Sequence, residues 1–265
     1  MNMPKPDSTA AGSSARRPWV LKIGGRLIED PQVRGRFCAA CAQLHRPFVL
    51  VHGGGCKVTA LQDRLGVAVT FHQGRRVTSP AAMDVVEMVL SGAINKTLVR
   101  GLISAGCLAQ GLSGCDAALI RCRRVADLGE VGEPDRIDPK GLIRLLDEGV
   151  TPVLSPVSLG PNDEPLNVNA DEVACAIAAA LDAERLLLLS DVPGVQVGGN
   201  VRSTLDVDEV EALIRCGEVH GGMVPKLRAA ASALHDGVGE AIIAGFFDQP
   251  LTNNLGGTRV RVANR

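Results

Sequence analysis

Three glycine-rich segments, far apart in the chain, consist of residue types that suit phosphate binding. They are residues 22–25 (Lys-Ile-Gly-Gly), 51–55 (Val-His-Gly-Gly-Gly) and 221–226 (Gly-Gly-Met-Val-Pro-Lys). Glycine has no Cβ, so its backbone N–H can approach an anion closely, and lysine adds a compact positive charge. Three such segments, two of them with a lysine, predict a site that surrounds a transferring phosphoryl group from several sides.

Lys22 follows the apolar residues Val20 and Leu21 and stands just before a glycine turn. At the end of a buried strand it would project its ammonium group over the carboxyl edge of a parallel sheet, where α/β proteins bind ligands. A lysine that merely flanks a turn is the alternative. Only six of the 28 basic residues are lysines, so a compact ammonium group stands here in a chain that otherwise favours arginine,.

The glycine run at residues 52–55 has a second interpretation, because lipase-like hydrolases use similar runs to build an oxyanion hole. That class also needs Gly-x-Ser-x-Gly, and residues 111–115 (Gly-Leu-Ser-Gly-Cys) lack the last glycine. The sequence also has no Walker A loop, and no Gly-x-Gly-x-x-Gly follows a predicted strand. An anion cradle at the start of a helix is therefore the favoured interpretation of this run.

Two polar clusters could contact a ligand directly. Asn167, Asn169 and Asp171 lie where a loop becomes a predicted helix. One of them could serve as an N-cap worth about 1 kcal/mol, but three in five residues favour a ligand contact as well. Arg75 and Arg76 could hold a carboxylate, although adjacent side chains of a strand face opposite ways, so only one can do so. A solvated strand edge is the alternative.

Composition excludes several classes of partner. The net charge is −1 over 265 residues and only 2% of residues are aromatic, which argues against nucleic acid,. No apolar run reaches the ~18 residues of a membrane span, and the N-terminus lacks the apolar stretch of a signal peptide. Of the eight cysteines, only Cys38 and Cys41 have C-x-x-C spacing, without a second pair nearby. Buried thiols in a soluble cytoplasmic protein are expected.

The periodicity predicts an α/β protein with two lobes that share one continuous sheet. Strands, glycine turns and helices alternate, which is typical of a parallel sheet covered on both faces. Residues 1–17 are predicted to be a disordered tail. The predicted strands are residues 20–23, 47–51, 108–112, 150–156, 184–190, 240–244 and 258–262. The predicted helices are residues 31–44, 56–65, 80–105, 171–181, 206–216 and 226–234, and hairpins are predicted within residues 67–78 and 117–137.

Seven ordered motifs resemble those of the acetylglutamate kinases in the amino acid kinase family. They are residues 22–25, 52–55, 74–78, 95–96, 167–171, 190–194 and 222–226, within a similarity that extends from about residue 19 to residue 262. The resemblance implies a three-layer αβα sandwich around a mainly parallel sheet of roughly eight strands. It also implies an N-terminal lobe (about 18–166) for the amino acid and a C-terminal lobe (about 167–265) for ATP.

The resemblance implies a reaction and a role for each matching residue. ATP would phosphorylate the side-chain carboxylate of N-acetyl-L-glutamate, the second step of arginine biosynthesis, with Mg²⁺ bridging the ATP phosphates. The catalytic residues would be Lys22, Lys226 and Asp171, with Asp171 holding both lysines. The acceptor would contact Gly54, Gly55, Arg76 through its α-carboxylate and Asn167 on the N-acetyl side. ATP would contact Gly24, Gly25, Ser190, Asp191, Val192, Gly194, Val195, Glu218, Val219 and His220.

Alternatives to this function are a kinase for a related acid such as N-acetylaminoadipate, a non-catalytic regulatory homologue, and the hydrolase.

Residues 1–17 bear on the oligomeric state that the resemblance implies. Arginine-inhibited relatives carry an apolar N-terminal helix that joins dimers into a hexamer, and residues 1–17 have no apolar face of that kind. A homodimer that arginine does not inhibit is therefore expected.

Overall fold

The computed structural model describes residues 16–72, 74–246, 251 and 255–263. The predicted tail at residues 1–17 lies outside the described residues except for Arg16 and Arg17. Arg17 Nη2 lies 2.5 Å from Asp182 Oδ1, so the chain is tied to the body of the protein just before the first strand.

The described residues form sixteen strands. In chain order they are β1 (Trp19–Ile23), β2 (Phe48–His52), β3 (Thr70–His72), β4 (Arg75–Val77), β5 (Ala109–Ser113), β6 (Ile120–Arg124), β7 (Val131–Ile137), β8 (Thr151–Ser155), β9 (Val157–Leu159), β10 (Pro165–Val168), β11 (Arg185–Ser190), β12 (Gln196–Val197), β13 (Asn200–Val201), β14 (Thr204–Asp206), β15 (Glu240–Gly245) and β16 (Thr258–Arg261).

The same part of the chain forms nine α-helices. They are α1 (Gly25–Glu29), α2 (Pro31–Ala42), α3 (Gly55–Leu65), α4 (Pro80–Glu87), α5 (Asn95–Ser104), α6 (Lys140–Asp147), α7 (Ala170–Ala180), α8 (Val207–Arg215) and α9 (Met223–His235). A π-helical stretch, Met88–Ile94, joins α4 to α5, so the helix predicted at 80–105 has the right extent but not regular geometry. Among these helices, none is long and apolar enough to cross a membrane.

Eight strands form the central sheet, in the order β14-β16-β15-β11-β1-β2-β8-β5. Neighbouring strands run parallel, except that β15 and β16 are antiparallel. Every residue of β1 and of β11 is buried, as expected for strands covered on both faces,. The predicted mainly parallel sheet of about eight strands is confirmed.

Helices cover both faces of this sheet. Leu188 on β11 belongs to a core that includes Ala174 of α7 and Leu227 of α9. The next residue, Leu189, belongs to a second core on the opposite face, with Phe37 of α2 and Leu98 of α5. Successive residues of a strand point to opposite faces, so the alternation places one helical layer on each side. The predicted αβα sandwich is confirmed.

A second, smaller sheet closes into a four-stranded barrel in the order β10-β7-β6-β9. The predicted hairpin within residues 117–137 is present as β6 and β7. The other two strands of the barrel, β9 and β10, were not predicted from the sequence. These strands have three and four residues, too few for a period of two to stand out,. Helices α1 and α6 and the β12–β13 hairpin were likewise not predicted.

Candidate active site

The carboxyl ends of β1, β2 and β11 bring three predicted segments to one edge of the central sheet. Gly24 and Gly25 follow β1, Gly53 follows β2, and Ser190 is the last residue of β11. Because β1 pairs in parallel with both β2 and β11, the three ends are adjacent. This is the edge of a parallel sheet at which ligands bind in α/β proteins.

Asp171 lies between two lysines at this edge. Its Oδ1 is 2.7 Å from Lys22 Nζ and its Oδ2 is 3.0 Å from Lys226 Nζ. The side chains of Lys22, Asp171 and Lys226 are 6%, 5% and 15% exposed. Asp171 is the second residue of α7, where the helix dipole favours a carboxylate,. The structure therefore brings together the three predicted catalytic residues, although Lys22 and Lys226 are 204 positions apart in the sequence.

The charges of this triad are set by opposing effects. Burial alone would raise the pKa of Asp171, but the two ammonium groups hold it below its ordinary value. Burial lowers the pKa of Lys22, and Lys226 acts in the same direction, while Asp171 opposes them. The carboxylate is thus ionised and keeps two mutually repelling ammonium groups close together. With both lysines charged, the triad has a net charge of +1, which favours an anion.

Two cavities meet at Lys22. The first has a volume of about 270 Å³. Its lining includes Lys22, Gly53, Gly54, Gly55, Val58, Phe71, Gly74, Arg75, Arg76, Val86, Leu90, Val131, Gly132, Pro156, Asn167, Val168, Asn169, Ala170 and Asp171. All four predicted acceptor residues are in this set. The apolar members were not singled out in the sequence, because apolar residues of a cavity wall follow the same pattern as a core.

The second cavity, of about 630 Å³, contains predicted nucleotide contacts. Its lining consists of Lys22, Gly24, Leu27, Gly55, Cys56, Thr59, Ala60, Asp63, Phe71, Arg76, Ser190, Asp191 and Lys226. Lys22, Gly55, Phe71 and Arg76 belong to both cavities. A group held between the cavities would therefore lie beside the Lys22 ammonium and the glycine loop.

Arg76 is held by three neutral acceptors. Its Nη1 donates to Gln62 Oε1 at 2.6 Å, and its Nη2 donates to Thr59 Oγ1 at 2.7 Å and to the Gly55 carbonyl at 3.1 Å. The guanidinium group also lies 4.8 Å from the centre of the Phe71 ring. These acceptors orient the guanidinium group without neutralising its charge. Thr59 and Gln62 are three residues apart on one face of α3, and neither was predicted as a site residue,.

The three polar residues within the segment 167–171 have different roles. Asn169 is the N-cap of α7, and its Oδ1 accepts from the Asp171 N–H at 2.8 Å. Asn167 Nδ2 donates to Thr78 Oγ1 at 3.1 Å, and the residue lines the first cavity. Asn169 therefore caps the helix, Asp171 binds both lysines, and Asn167 lies on the wall of the first cavity.

Gly54 has a backbone φ of +157°, which other residues rarely adopt, and it lies tightly against two apolar side chains. A Cβ at this position would clash with Ile94 Cδ1 and would lie 2.7 Å from Leu90 Cδ2. Both side chains belong to the π-helical stretch, so this irregular turn supports the glycine loop from behind. π-helical turns often occur at functional sites.

His52 and Asn95 form a buried pair beneath the same loop, and neither was assigned a role of its own from the sequence. His52 Nδ1 lies 3.0 Å from the Gly53 carbonyl, and Asn95 Nδ2 lies 3.3 Å from His52 Nε2 and 2.8 Å from the Val153 carbonyl. Burial lowers the pKa of His52 to about 4. The neutral ring can donate from Nδ1 and accept at Nε2, which fits both partners.

Several predicted nucleotide residues line neither cavity, among them Val192, Gly194, Val195, Glu218, Val219 and His220. The side chains of Val195 and Val219 are in the core, and the Val195 N–H donates to Thr258 Oγ1 at 2.8 Å. Glu218 Oε2 accepts from the Gly198 N–H at 2.9 Å. A role for these residues in nucleotide binding stays a prediction. The buried side chains of Val195 and Val219 pack in the core.

Comparison with known proteins agrees with this geometry. Residues 17–245 match the family model of the amino acid kinase family. An acetylglutamate kinase of Chloroflexus aurantiacus is 46% identical over 248 residues, which cover 91% of this chain and 95% of that protein. One from a Roseiflexus species is 44% identical, covering 84% of this chain and 87% of the relative. A solved Giardia carbamate kinase has a TM-score of 0.71 over 94% of this chain and all of its own, with 18% identity, and so supports the fold alone.

Proposed function

The chain belongs to the amino acid kinase family, and from this premise we propose that it transfers the γ-phosphoryl group of ATP to the side-chain carboxylate of N-acetyl-L-glutamate. The products are N-acetylglutamyl 5-phosphate and ADP, and the reaction belongs to arginine biosynthesis. The observation that carries the proposal is the position of Lys22, which binds Asp171 and is shared by both cavities. One cavity holds the acceptor and the other the nucleotide, so transfer takes place between them.

The two lysines supply the electrostatic part of catalysis in this proposal. Lys22 and Lys226 offset negative charge on the transferring group, and Asp171 fixes both ammonium groups before substrate arrives,. The acceptor carboxylate is already a nucleophile near neutral pH, so it needs no general base. Catalysis therefore depends on positioning and charge, as is usual for phosphoryl transfer.

Arg76 and Asn167 would orient the acceptor. The charge of Arg76 is not neutralised by Gln62, Thr59 or the Gly55 carbonyl, so a substrate α-carboxylate is a suitable partner,. Asn167 lies on the same cavity wall and suits the N-acetyl group. The backbone N–H groups of Gly54 and Gly55, at the start of α3, suit phosphoryl oxygens,.

The nucleotide would occupy the second cavity, with its phosphates near Gly24 and Lys226 and with Ser190 and Asp191 on the wall. Asp63 and Asp191 place two carboxylates on that wall, which suits Mg²⁺ held mainly by the ATP phosphates,. When bound, the ion would offset part of the phosphate charge. The predicted assignment of the acceptor to residues 18–166 and of ATP to residues 167–265 is approximate, since residues from both ranges line both cavities.

We also propose that the protein is a homodimer and is not inhibited by arginine. Met88, Ile103 and Leu108 are each more than half exposed, and β5, which follows Leu108, is an edge strand of the central sheet. Apolar side chains beside an open strand edge suit contact with a second copy. Light scattering on the purified full chain would test the dimer, and a hexamer or inhibition by added arginine would contradict the proposal.

The reaction is tested by ADP release with MgATP and four acceptors: N-acetyl-L-glutamate, glutamate, N-acetylaspartate and N-acetylaminoadipate. Strong preference for N-acetyl-L-glutamate is expected. Activity with N-acetylaminoadipate alone would retain the mechanism and refute the acceptor. No activity with any of the four, while ATP still binds, would refute the enzyme assignment and favour a regulatory role.

A further inference from the structure

Arg75, the neighbour of Arg76 on β4, is bound by two carboxylates on other elements. Its Nη1 lies 2.7 Å from Glu133 Oε1 on β7, and its Nη2 lies 2.6 Å from Glu172 Oε1 on α7. Glu172 directly follows Asp171, which binds both lysines. The three side chains are 27%, 40% and 24% exposed, so they are only partly screened by water. This ion triad joins the hairpin, the barrel and the helix that carries Asp171.

The β3–β4 hairpin needs side-chain interactions with neighbouring elements to keep its position. Its strands have three residues each and pair with one another, and directly after β4 the Thr78 backbone is hydrogen-bonded to Leu128 and Glu130. All three residues of β3 are exposed. A two-stranded hairpin is marginally stable in water by itself. Yet Phe71, Arg75 and Arg76 form part of the wall of the first cavity, so the shape of that cavity depends on how the hairpin is held.

We propose that Arg75 is a positioning residue which, through Glu172 and Glu133, holds the β3–β4 hairpin in the geometry that binds the acceptor. The inference rests on the proposed function. The triad approaches the first cavity, while the second cavity is lined by neither Arg75 nor its two partners. Because the hairpin residues Phe71 and Arg76 also line the second cavity, whereas Gly74 and Arg75 line only the first, loss of the triad weakens acceptor binding more than ATP binding.

The environment of Glu172 makes its ion pair with Arg75 sensitive to pH. Burial raises the pKa of Glu172 to about 7; Arg75 opposes the rise, and Glu133 and Asp171 add to it. Among the described residues, the thiols of Cys122 on β6 and Cys175 on α7 also interact with Glu172, and burial keeps them neutral by raising their pKa to about 12 and about 11. Below about pH 7 Glu172 gains a proton and its ion pair with Arg75 is lost. The KM for the acceptor should then rise.

The test measures KM for N-acetyl-L-glutamate and for ATP separately in the wild type, Arg75→Met and Glu172→Gln. Each variant should raise the acceptor KM about 5- to 10-fold, as expected for a charged hydrogen bond that is partly exposed, and leave the ATP KM within about twofold. The double variant should be little worse than either single one, because both remove the same interaction. Between pH 8 and 6 the acceptor KM should rise in the wild type and stay flat in Glu172→Gln.

Arg124→Met is the matched control. Arg124 also binds two carboxylates in the barrel region, with Nη2 2.8 Å from Glu130 Oε2 and 2.8 Å from Glu164 Oε1, but it lines neither cavity. Its acceptor KM should equal that of the wild type. An unchanged acceptor KM in both Arg75→Met and Glu172→Gln, or equal rises in the acceptor and ATP KM values, would overturn the inference.

A second measurement separates this inference from the proposed function. Wild-type turnover of N-acetyl-L-glutamate decides the function by itself. Amide hydrogen exchange at β4 needs no substrate, and it should be faster in Arg75→Met than in the wild type or Arg124→Met. If the wild type fails to phosphorylate the acceptor, the proposed function fails, and the exchange result still decides whether Arg75 holds the hairpin. Equal exchange in all three proteins would show that it does not.

Discussion

Replacing Asp171 with asparagine tests the central argument about the site. The amide keeps the shape of the side chain but removes the charge that Lys22 and Lys226 share at 2.7 and 3.0 Å. An amide oxygen can accept from one ammonium group, while the NH₂ group can only donate and so faces the other unfavourably. Two buried ammonium groups then repel each other without a counter-charge. Because burial already lowers the pKa of Lys22, that residue should lose its proton more easily in the variant.

The expected magnitudes follow from this geometry. Removing one partner of a buried ion pair costs about 3–5 kcal/mol of unfolding free energy. At about 2–4 °C per kcal/mol for a chain of this size, the melting temperature should fall by roughly 10 °C. Because Asp171 fixes the two ammonium groups that offset charge on the transferring group, its replacement should lower kcat by about 10²–10³-fold,. The KM for the acceptor should change much less, since Arg76 and Asn167 are intact.

The assay compares kcat and denaturant unfolding in Asp171→Asn and in a matched control, Asp208→Asn. Asp208 is the second residue of α8, as Asp171 is of α7, but it is exposed. The control therefore measures the helix-dipole effect alone, about 0.3–1 kcal/mol. If Asp171→Asn unfolds with the same free energy as the control, or keeps more than about a tenth of wild-type kcat, the reasoning about the triad is refuted.

Three further predictions concern single residues. Lys226→Arg should fold normally and lose most of its kcat, because a planar guanidinium group cannot replace a compact ammonium group; near-normal turnover would remove Lys226 from the mechanism. Gly54→Ala should destabilise the protein by about 1–3 kcal/mol through its clash with Ile94 and should reduce activity, whereas Gly35→Ala, with open space inside α2, should be neutral or stabilising by calorimetry,. Because burial lowers the pKa of His52 from 6.5 to about 4, its neutral ring stabilises the fold less as pH falls through that window,. The difference in unfolding free energy between the wild type and His52→Gln should therefore shrink by about 3 kcal/mol between pH 6.5 and 4, and a constant difference would contradict the assignment.

Much of the site could be predicted because its signals are local. Glycine before a helix and lysine at a strand end can be recognised in a few residues, and parallel strands must bring their carboxyl ends to the same edge. Lys22, Asp171 and Arg76 were therefore predicted as site residues, and the structure places all three on the first cavity. Other predicted residues, such as Val195 and Val219, line neither cavity and lie in the core, because a motif does not tell which of its side chains turn into the core.

The sequence by itself determined most strands and helices of the αβα sandwich, though not α1, α6 or β14, since an apolar run between glycine turns has few other ways to bury its surface. It also determined which chemical groups are present: two lysines, an aspartate and three glycine-rich segments. Only the tertiary structure decided how they meet. The barrel, the π-helical support behind Gly54 and the ion triad of Arg75, Glu133 and Glu172 depend on contacts between residues far apart in the chain. Such contacts leave no local periodic signal, because their geometry is set by the packing of whole elements against one another.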